Sequence, residues 1–264
     1  MEVPNFSLER LLTRLPANIS LLGKRKVGKS VCVSMLVKFF LKHKIFSRII
    51  CFVANDFCNP ELIKILKLNN TPYVIFYKFN DKIVDKILDQ QVNLRESGNN
   101  DCHALIIMDD IYSGHLYHSQ SIQNLFQKGR HYLVSNLTSC VSVKSLATCA
   151  RRSLDYLILY SSLTSTDNKY ITQKFLNPKF INIAQYILRN QNLYEALVIE
   201  SSPRQLLFRL KFRKKKIKSD CIQKDPKPIL DSTKNVKFGN KTLSQELREK
   251  NGQTVLNETK IDYV

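Results

Sequence analysis

Residues 23–30 read Gly-Lys-Arg-Lys-Val-Gly-Lys-Ser, set between the apolar run Asn18–Leu22 and a stretch of helical periodicity, Lys29–Lys42. A strand that passes through two glycines into a helix leaves little freedom. The glycines let the backbone wrap with its N–H groups turned inward, and the helix opening at Lys29 adds its positive dipole end, so the loop is shaped for a polyphosphate. In that pattern Lys29 reaches the β- and γ-phosphates and the Ser30 hydroxyl takes a position on Mg²⁺. Gly23, Lys24, Arg25, Lys26, Val27, Gly28, Lys29 and Ser30 are therefore the expected binding set for ATP with Mg²⁺. A strand–loop–helix unit of this kind requires an α/β fold, because its helix must return the chain to a parallel neighbour.

The rest of the chain repeats the alternation. Apolar, β-rich runs occur at Asn18–Leu22, Arg48–Ala54, Tyr73–Tyr77, Ala104–Met108, Leu133–Leu137 and Tyr156–Tyr160, with helical patterns at Lys29–Lys42, Pro60–Leu68, Asp81–Arg95, Ser119–Arg130 and Lys144–Arg152 between them. That spacing predicts a largely parallel sheet flanked by helices. Two further helices, Thr166–Leu176 and Pro178–Gln191, precede a hairpin of Glu195–Ile199 and Gln205–Phe212 turning at Ser201-Ser202-Pro203. After Lys218 the composition turns polar and aperiodic, and that tail is expected to stay disordered. The expected division is a domain over 1–212 and a basic segment with tail over 213–264.

The run Ala104–Met108 ends in Asp109-Asp110. A carboxylate at the C-terminal end of a central strand is placed to face the Mg²⁺ of a phosphate-loop ATPase, which assigns Asp109 to the metal side. The adjoining Asp110 is placed to orient or deprotonate the attacking water. Arginine suits charge developing on a transferring phosphoryl group. Arg130, in Gln127–Tyr132, and Arg151-Arg152, before the run Tyr156–Tyr160, are candidates to complete a neighbouring subunit's site; capping of a helix end and plain solvation are the competing readings.

At this point the chain resembles a family: the FtsK–HerA type DNA-packaging ATPases of double-stranded DNA viruses and of Polinton (Maverick)-like elements, including the poxvirus packaging ATPase. The similarity lies in LPANISLLGKRKVGKS (Leu15–Ser30), LIIMDDI (Leu105–Ile111), LFQKGRHY (Leu125–Tyr132) and RRSLDYLILY (Arg151–Tyr160), and spans about residues 8–165. The resemblance implies a RecA-like (ASCE) core, a homo-oligomeric ring, and movement of double-stranded DNA into a capsid through a portal or vertex protein. It carries nucleotide and Mg²⁺ binding to Lys29 and Ser30, the paired acids to Asp109 and Asp110, and an arginine before the last core strand to Arg151; it leaves open whether Arg130 or Arg151 acts in trans. The family's γ-phosphate-sensing glutamine falls on Val141, which has neither donor nor acceptor. That departure bears on hydrolysis and its coupling, with Ser139 or Ser142 as possible substitutes.

Charge bears on partners. The chain has 41 Lys+Arg against 22 Asp+Glu, a formal net charge of +19. Residues 204–218, RQLLFRLKFRKKKIK, hold eight basic side chains and no acidic one. Such a run reads as a DNA-backbone contact, a nuclear localisation patch or a solvated strand end. No base-reading module is evident, so DNA contact is expected to be indifferent to sequence. Seven cysteines without a C-x-x-C pair argue against a disulfide framework or zinc site, and no apolar run reaches a membrane span. The expectation is an intracellular protein with no membrane partner, working in a host nucleus or a cytoplasmic virus factory, with association with the virion as the alternative. Three functions remain at this stage: a packaging motor, a DNA helicase or other DNA-stimulated NTPase, and an ATP-binding assembly protein with little turnover.

Overall fold

The structure, a computed structural model, describes residues 3–55, 57–99, 101–111, 119–146, 148–161, 163–201 and 205–212, and the backbone of 237–238 and 241–242. The sheet strands are β1 (Asn18–Leu22), β2 (Arg48–Val53), β3 (Tyr73–Phe76), β4 (Ala104–Asp109), β5 (Val134–Cys140), β6 (Tyr156–Leu159), β7 (Glu195–Glu200) and β8 (Leu206–Lys211). Their order is β3-β2-β4-β5-β1-β6-β7-β8. The first six run parallel, as the alternating pattern predicts. The hairpin β7–β8 adds antiparallel against β6.

The central strands are buried on both faces, the signature of a parallel sheet covered by helices on each side. Odd and even positions divide into two cores. Ile49, Cys51, Leu105, Ile107, Ile19, Leu21 and Ile158 face α2 (Lys29–Lys42) and α3 (Pro60–Lys67), with α1 (Glu9–Leu12) at the edge. Ile50, Phe52, Ile106, Met108, Leu22 and Leu157 face α4 (Asp81–Glu96), α5 (Gln120–Lys128), α6 (Thr148–Arg152), α7 (Ser165–Lys174) and α8 (Ile181–Arg189).

The helices start where the sequence supplies caps. The side chain of Asn59 accepts from Leu62 N ahead of Pro60, Asn80 accepts from Lys82 N, Ser119 from Ile122 N and Thr164 from Asp167 N. Several boundaries shift by a residue or two, the helix expected over Pro178–Gln191 opens as a 3-10 turn, Pro178–Phe180, before α8, and three other elements differ in ways that bear on the site. The helix expected over Ser119–Arg130 ends at Lys128 and tightens into a 3-10 turn over Gly129–Tyr132. The one expected over Lys144–Arg152 divides into a 3-10 turn, Val143–Ser145, and the short α6. β5 extends three residues beyond Leu137, because Thr138 and Ser139, polar enough to suggest a turn, are wholly buried.

Among the expected features, Ser202 and Pro203 of the hairpin's turn, most of the basic segment and most of the tail lie outside the described residues. Within that tail, Lys237–Phe238 (β9) pairs antiparallel with Lys241–Thr242 (β10), a short ladder that the expectation of disorder did not include.

The amino-terminal segment closes the β8 edge. Phe6 N donates to Arg209 O at 2.7 Å and Arg209 N to Pro4 O at 2.9 Å. Glu200 at the end of β7 is fully buried and is held by Arg10 at 3.0 Å and Arg14 at 2.9 Å. A buried carboxylate stripped of its cations is left uncompensated. Replacing both arginines by Ala should therefore cost about 3–5 kcal/mol of stability, measured as a lower urea midpoint; an unchanged midpoint would show that water reaches Glu200.

Candidate functional site

The site forms at the C-terminal ends of β1, β5 and β4, which are adjacent in the sheet. From β1 the chain leaves through Gly23, whose N–H donates to Cys140 O of β5 at 3.2 Å. A Cβ on Gly23 would lie 2.8 Å from Tyr160 Cβ, which accounts for glycine at this bend. Lys24, Arg25 and Lys26 are exposed on the loop. Gly28, at φ 102°, occupies the left-handed region as the N-cap of α2, where an L side chain would be strained. Lys29 is buried, and its Nζ donates to Gly23 O at 2.8 Å and Lys24 O at 3.0 Å. The lysine thus lies across the loop that its sequence pattern marks for phosphate.

Opposite, Asp109 ends β4 and is 1% exposed. Asn59 Nδ2 donates to its Oδ2 at 2.8 Å, and Ser139 Oγ donates to its Oδ1. Burial pushes the Asp109 carboxyl above the usual range, and the hydrogen bonds from Ser139 and Asn59 oppose that shift. Lys29 also favours the charged form, more weakly. Asp110 follows in the left-handed region, φ 53°, and is exposed; its N–H donates to Ser139 Oγ at 3.2 Å. One turn thus buries the first acid and presents the second to solvent.

Asn59 is the residue that sequence reasoning missed. It is 3% exposed and makes four hydrogen bonds: Nδ2 to Asp109 Oδ2 and to Ser30 O at 3.2 Å, and Oδ1 from Ser34 Oγ at 3.0 Å and from Leu62 N at 3.2 Å. It caps α3 while tying the loop helix to the buried acid. The capping pattern Asn59-Pro60 is visible in the sequence, but the second task depends on β2 lying beside β4. Because Asn59 Nδ2 bonds both Ser30 O and Asp109, the Ser30 hydroxyl and the Asp109 carboxylate belong to one neighbourhood. Two such oxygens fit a hard cation like Mg²⁺, which prefers carboxylate, hydroxyl and phosphate oxygens.

The two serines proposed to stand in for the glutamine part ways. Ser139 is wholly buried between Asp109 and the Asp110 amide. Ser142 donates to Asp167 Oδ1 at 2.8 Å, away from the paired acids. Val141, the first residue past β5, is 42% exposed.

The arginines are not part of this cluster. Arg130 pairs with Asp155 at 2.8 Å, and Asp155 in turn accepts from Asn18 N at the start of β1. That places Arg130 at the other end of β1 from the loop, roughly 13 Å away for a strand of this length. Arg151 donates to Thr148 Oγ1 at 2.7 Å and lies over the Tyr170 ring at 4.9 Å.

Comparison with known proteins gives three kinds of match. The family described as Poxvirus A32 protein matches residues 4–220. Among curated proteins, Uncharacterized protein 075L of Invertebrate iridescent virus 6 is 23% identical over 189 residues, 70% of this chain and 71% of that protein. Among solved structures, the genome packaging NTPase B204 of Sulfolobus turreted icosahedral virus 2, in complex with ATP-gammaS, superposes with a TM-score of 0.53 at 19% identity, over 73% of this chain and 96% of that one. EssC (ATPases 2 and 3) of Geobacillus thermodenitrificans gives 0.53 at 13% identity, over 75% of this chain and 40% of that one. These structural likenesses establish the P-loop NTPase fold.

Two outcomes follow from the hydrogen bonds around Asp109. Asn59→Ala and Ser139→Ala should each lower ATPase activity about 10–100-fold, as loss of a ligand-orienting partner does, whereas Ser142→Ala should leave kcat within about twofold if its role is confined to Asp167. Equal losses at both serines would contradict the assignment. Asp109→Asn removes a buried charge whose folded pKa is raised. The wild-type carboxylate therefore costs stability at neutral pH, and that cost vanishes as pH falls through the raised value toward the unfolded value near 3.9. The variant should be the more stable protein at pH 7, with the gap closing on acidification; a constant gap in urea titrations would refute the assignment.

Proposed function

The chain belongs to the poxvirus A32 protein family, and from that membership, in keeping with the resemblance carried by Leu15–Tyr160, we propose that it is an ATP-driven motor that translocates double-stranded viral DNA into a capsid. The observation that carries the reading is the meeting of Lys29 and Ser30 with Asp109 and Asp110 across three adjacent strand ends. In the proposed site the loop amides of Gly23–Ser30 and the Lys29 ammonium hold the triphosphate. Ser30 and Asp109 hold Mg²⁺, which when bound neutralises phosphate charge. Asp110, the exposed acid, accepts hydrogen bonds from the attacking water and takes its proton. Its N–H bond to Ser139 keeps the carboxylate beside the metal-side acid without burying it.

Arg130 lies too far from the loop to act on its own subunit's nucleotide, so a role for it requires a neighbour in a ring. The same ring gives Arg151 its place in the reading, as the second candidate in trans. The basic segment Arg204–Lys218 supplies the DNA-backbone contact, and a capsid portal or vertex protein is the expected docking partner within the infected cell. B204 supports ATP as the nucleotide, since that packaging NTPase takes an ATP analogue on the same fold. Val141 favours a second reading, an ATP-binding assembly protein with little turnover, because an apolar residue at that place can neither sense a γ-phosphate nor orient water.

An ATPase assay with and without duplex DNA separates the two. Duplex should raise the wild-type rate, and Asp110→Asn should lower it by about 10²–10⁴-fold while nucleotide binding persists; a wild type indifferent to duplex would favour the assembly protein. Deleting residues 213–264 should weaken duplex binding and flatten its salt dependence, by about 0.9 in the log–log slope for each phosphate no longer neutralised. An unaltered slope would remove the basic run from the DNA contact.

A further inference from the structure

Tyr194 stands where its turn calls for a different residue. Glu195 N donates to Asn192 O at 3.1 Å, closing a four-residue turn over 192–195 between α8 and β7, and Asn192 N donates to Glu195 Oε2 at 3.2 Å. Tyr194, third in that turn, is held at φ 66°. A positive φ at that place ordinarily goes to glycine or asparagine. A bulky ring there costs conformational energy, and such strain gathers at functional places. Lys211 pairs with Glu195 at 3.3 Å and Phe212 N donates to Tyr194 O at 3.1 Å, so the end of β8 holds the turn in place.

In return the ring lies against the phosphate loop. A Cβ placed on Gly28 would come within 2.9 Å of Tyr194 Cδ1. Phe212, 6% exposed, backs the tyrosine edge-on with centroids 5.9 Å apart. Tyr194 is only half-buried, and Leu193 before it is 66% exposed. A fixed aromatic ring with an apolar neighbour open to solvent therefore borders the loop.

The two lie on one particular side of it. Leu22, Leu159 and Leu197 are in register across β1, β6 and β7, which brings the start of β7 to the end of the sheet where β1 enters the loop. The acids at the end of β4 flank β1 on one side, and the turn before β7 flanks it on the other. In the proposed site the γ-phosphate faces Asp110 and the Mg²⁺ held by Ser30 and Asp109. The α-phosphate, and the nucleoside attached to it, must then leave away from the acids, toward β6 and β7.

We infer that Tyr194 and Leu193 seat the purine base of the nucleotide whose phosphates occupy the loop, the base stacking on the tyrosine ring and covering the leucine. This seat rests on the proposed reading of Gly23–Ser30 as the site of a nucleoside triphosphate. Stacking of the rings and burial of Leu193 supply affinity that phosphate contacts do not. Phe212 and the hydrogen-bonded turn fix the ring in advance, so little order remains to be imposed when the base arrives.

The test compares two probes on the full-length chain by calorimetry: Mg²⁺–ATPγS, and Mg²⁺–tripolyphosphate, which carries phosphates without a base. Tyr194→Asn removes the ring while suiting the positive φ, so the turn is retained. It should weaken ATPγS binding about 5–150-fold, the range of one base–aromatic stack, and leave tripolyphosphate within about twofold of wild type. Tyr194→Phe should keep the wild-type affinity for both probes. Leu193→Ser, a change on an exposed side chain, should weaken ATPγS alone. Unchanged ATPγS affinity in Tyr194→Asn would overturn the base seat. So would equal losses for the two probes, since the ring would then only support the loop at Gly28. Either result leaves the nucleotide reading of the loop standing, whereas a wild type that binds neither probe overturns that reading and the base seat together.

Discussion

Burying a carboxylate is the constraint on which the active end of this molecule depends. Asp109 sits at 1% exposure with an acidic neighbour, a placement that raises its pKa and works against its charged form. The fold answers with donors from two elements. Asn59 comes from the start of α3 beyond β2, and Ser139 from the end of β5. Each partner performs a second task, Asn59 by bonding Ser30 O and capping α3, Ser139 by receiving the Asp110 amide. Keeping one acid ionisable therefore fixes the register of β2, β4 and β5 and the seat of the loop helix together.

This explains the unusual chemistry of β5. A central strand of a parallel sheet is ordinarily Val/Ile/Leu-rich, yet here Ser135, Asn136, Thr138 and Ser139 are buried. Ser135 accepts from Ala17 N at 3.1 Å, and Thr138 donates to Asn136 Oδ1 at 2.9 Å. Each of these side chains finds at least one partner, although Asn136 Nδ2 is buried without one, and the strand places its last serine beside the acid pair. A strand inserted between the loop-bearing β1 and the acid-bearing β4 is thus an active part of the site rather than a spacer.

Much of this is legible in the sequence, and the misses share a cause. Lys29–Lys42 is readable to the residue, because loop glycine, helix start and periodicity coincide. The acid pair is readable because an apolar run ends abruptly in two carboxylates. The pattern ends β5 too early because hydroxyls and amides signal turns locally, and only the pairing of β5 with β1 and β4 shows them buried. Asn59 is hidden for a related reason: its capping role is local, while its bonds to Ser30 and Asp109 join residues 29 and 50 positions away. The Tyr194 and Phe212 contacts on Gly28 likewise join residues more than 160 positions apart and leave no periodic trace.

The distribution of charge acquires a geometry from the fold. Lys24, Arg25 and Lys26 are exposed on the loop itself, and the chain departs into its lysine-rich run from a ring packed on the same loop. Like charges held near each other raise the free energy of the protein without a polyanion, and the penalty is relieved when anions bind. Arg130, at the opposite end of β1, is neutralised within the fold by Asp155. The end of the sheet that carries the loop thus holds exposed positive charge on Lys24, Arg25 and Lys26 beside the acid pair Asp109 and Asp110. Bringing Lys24, Arg25 and Lys26 together on one short loop therefore carries an electrostatic cost that is recovered when an anion occupies the loop.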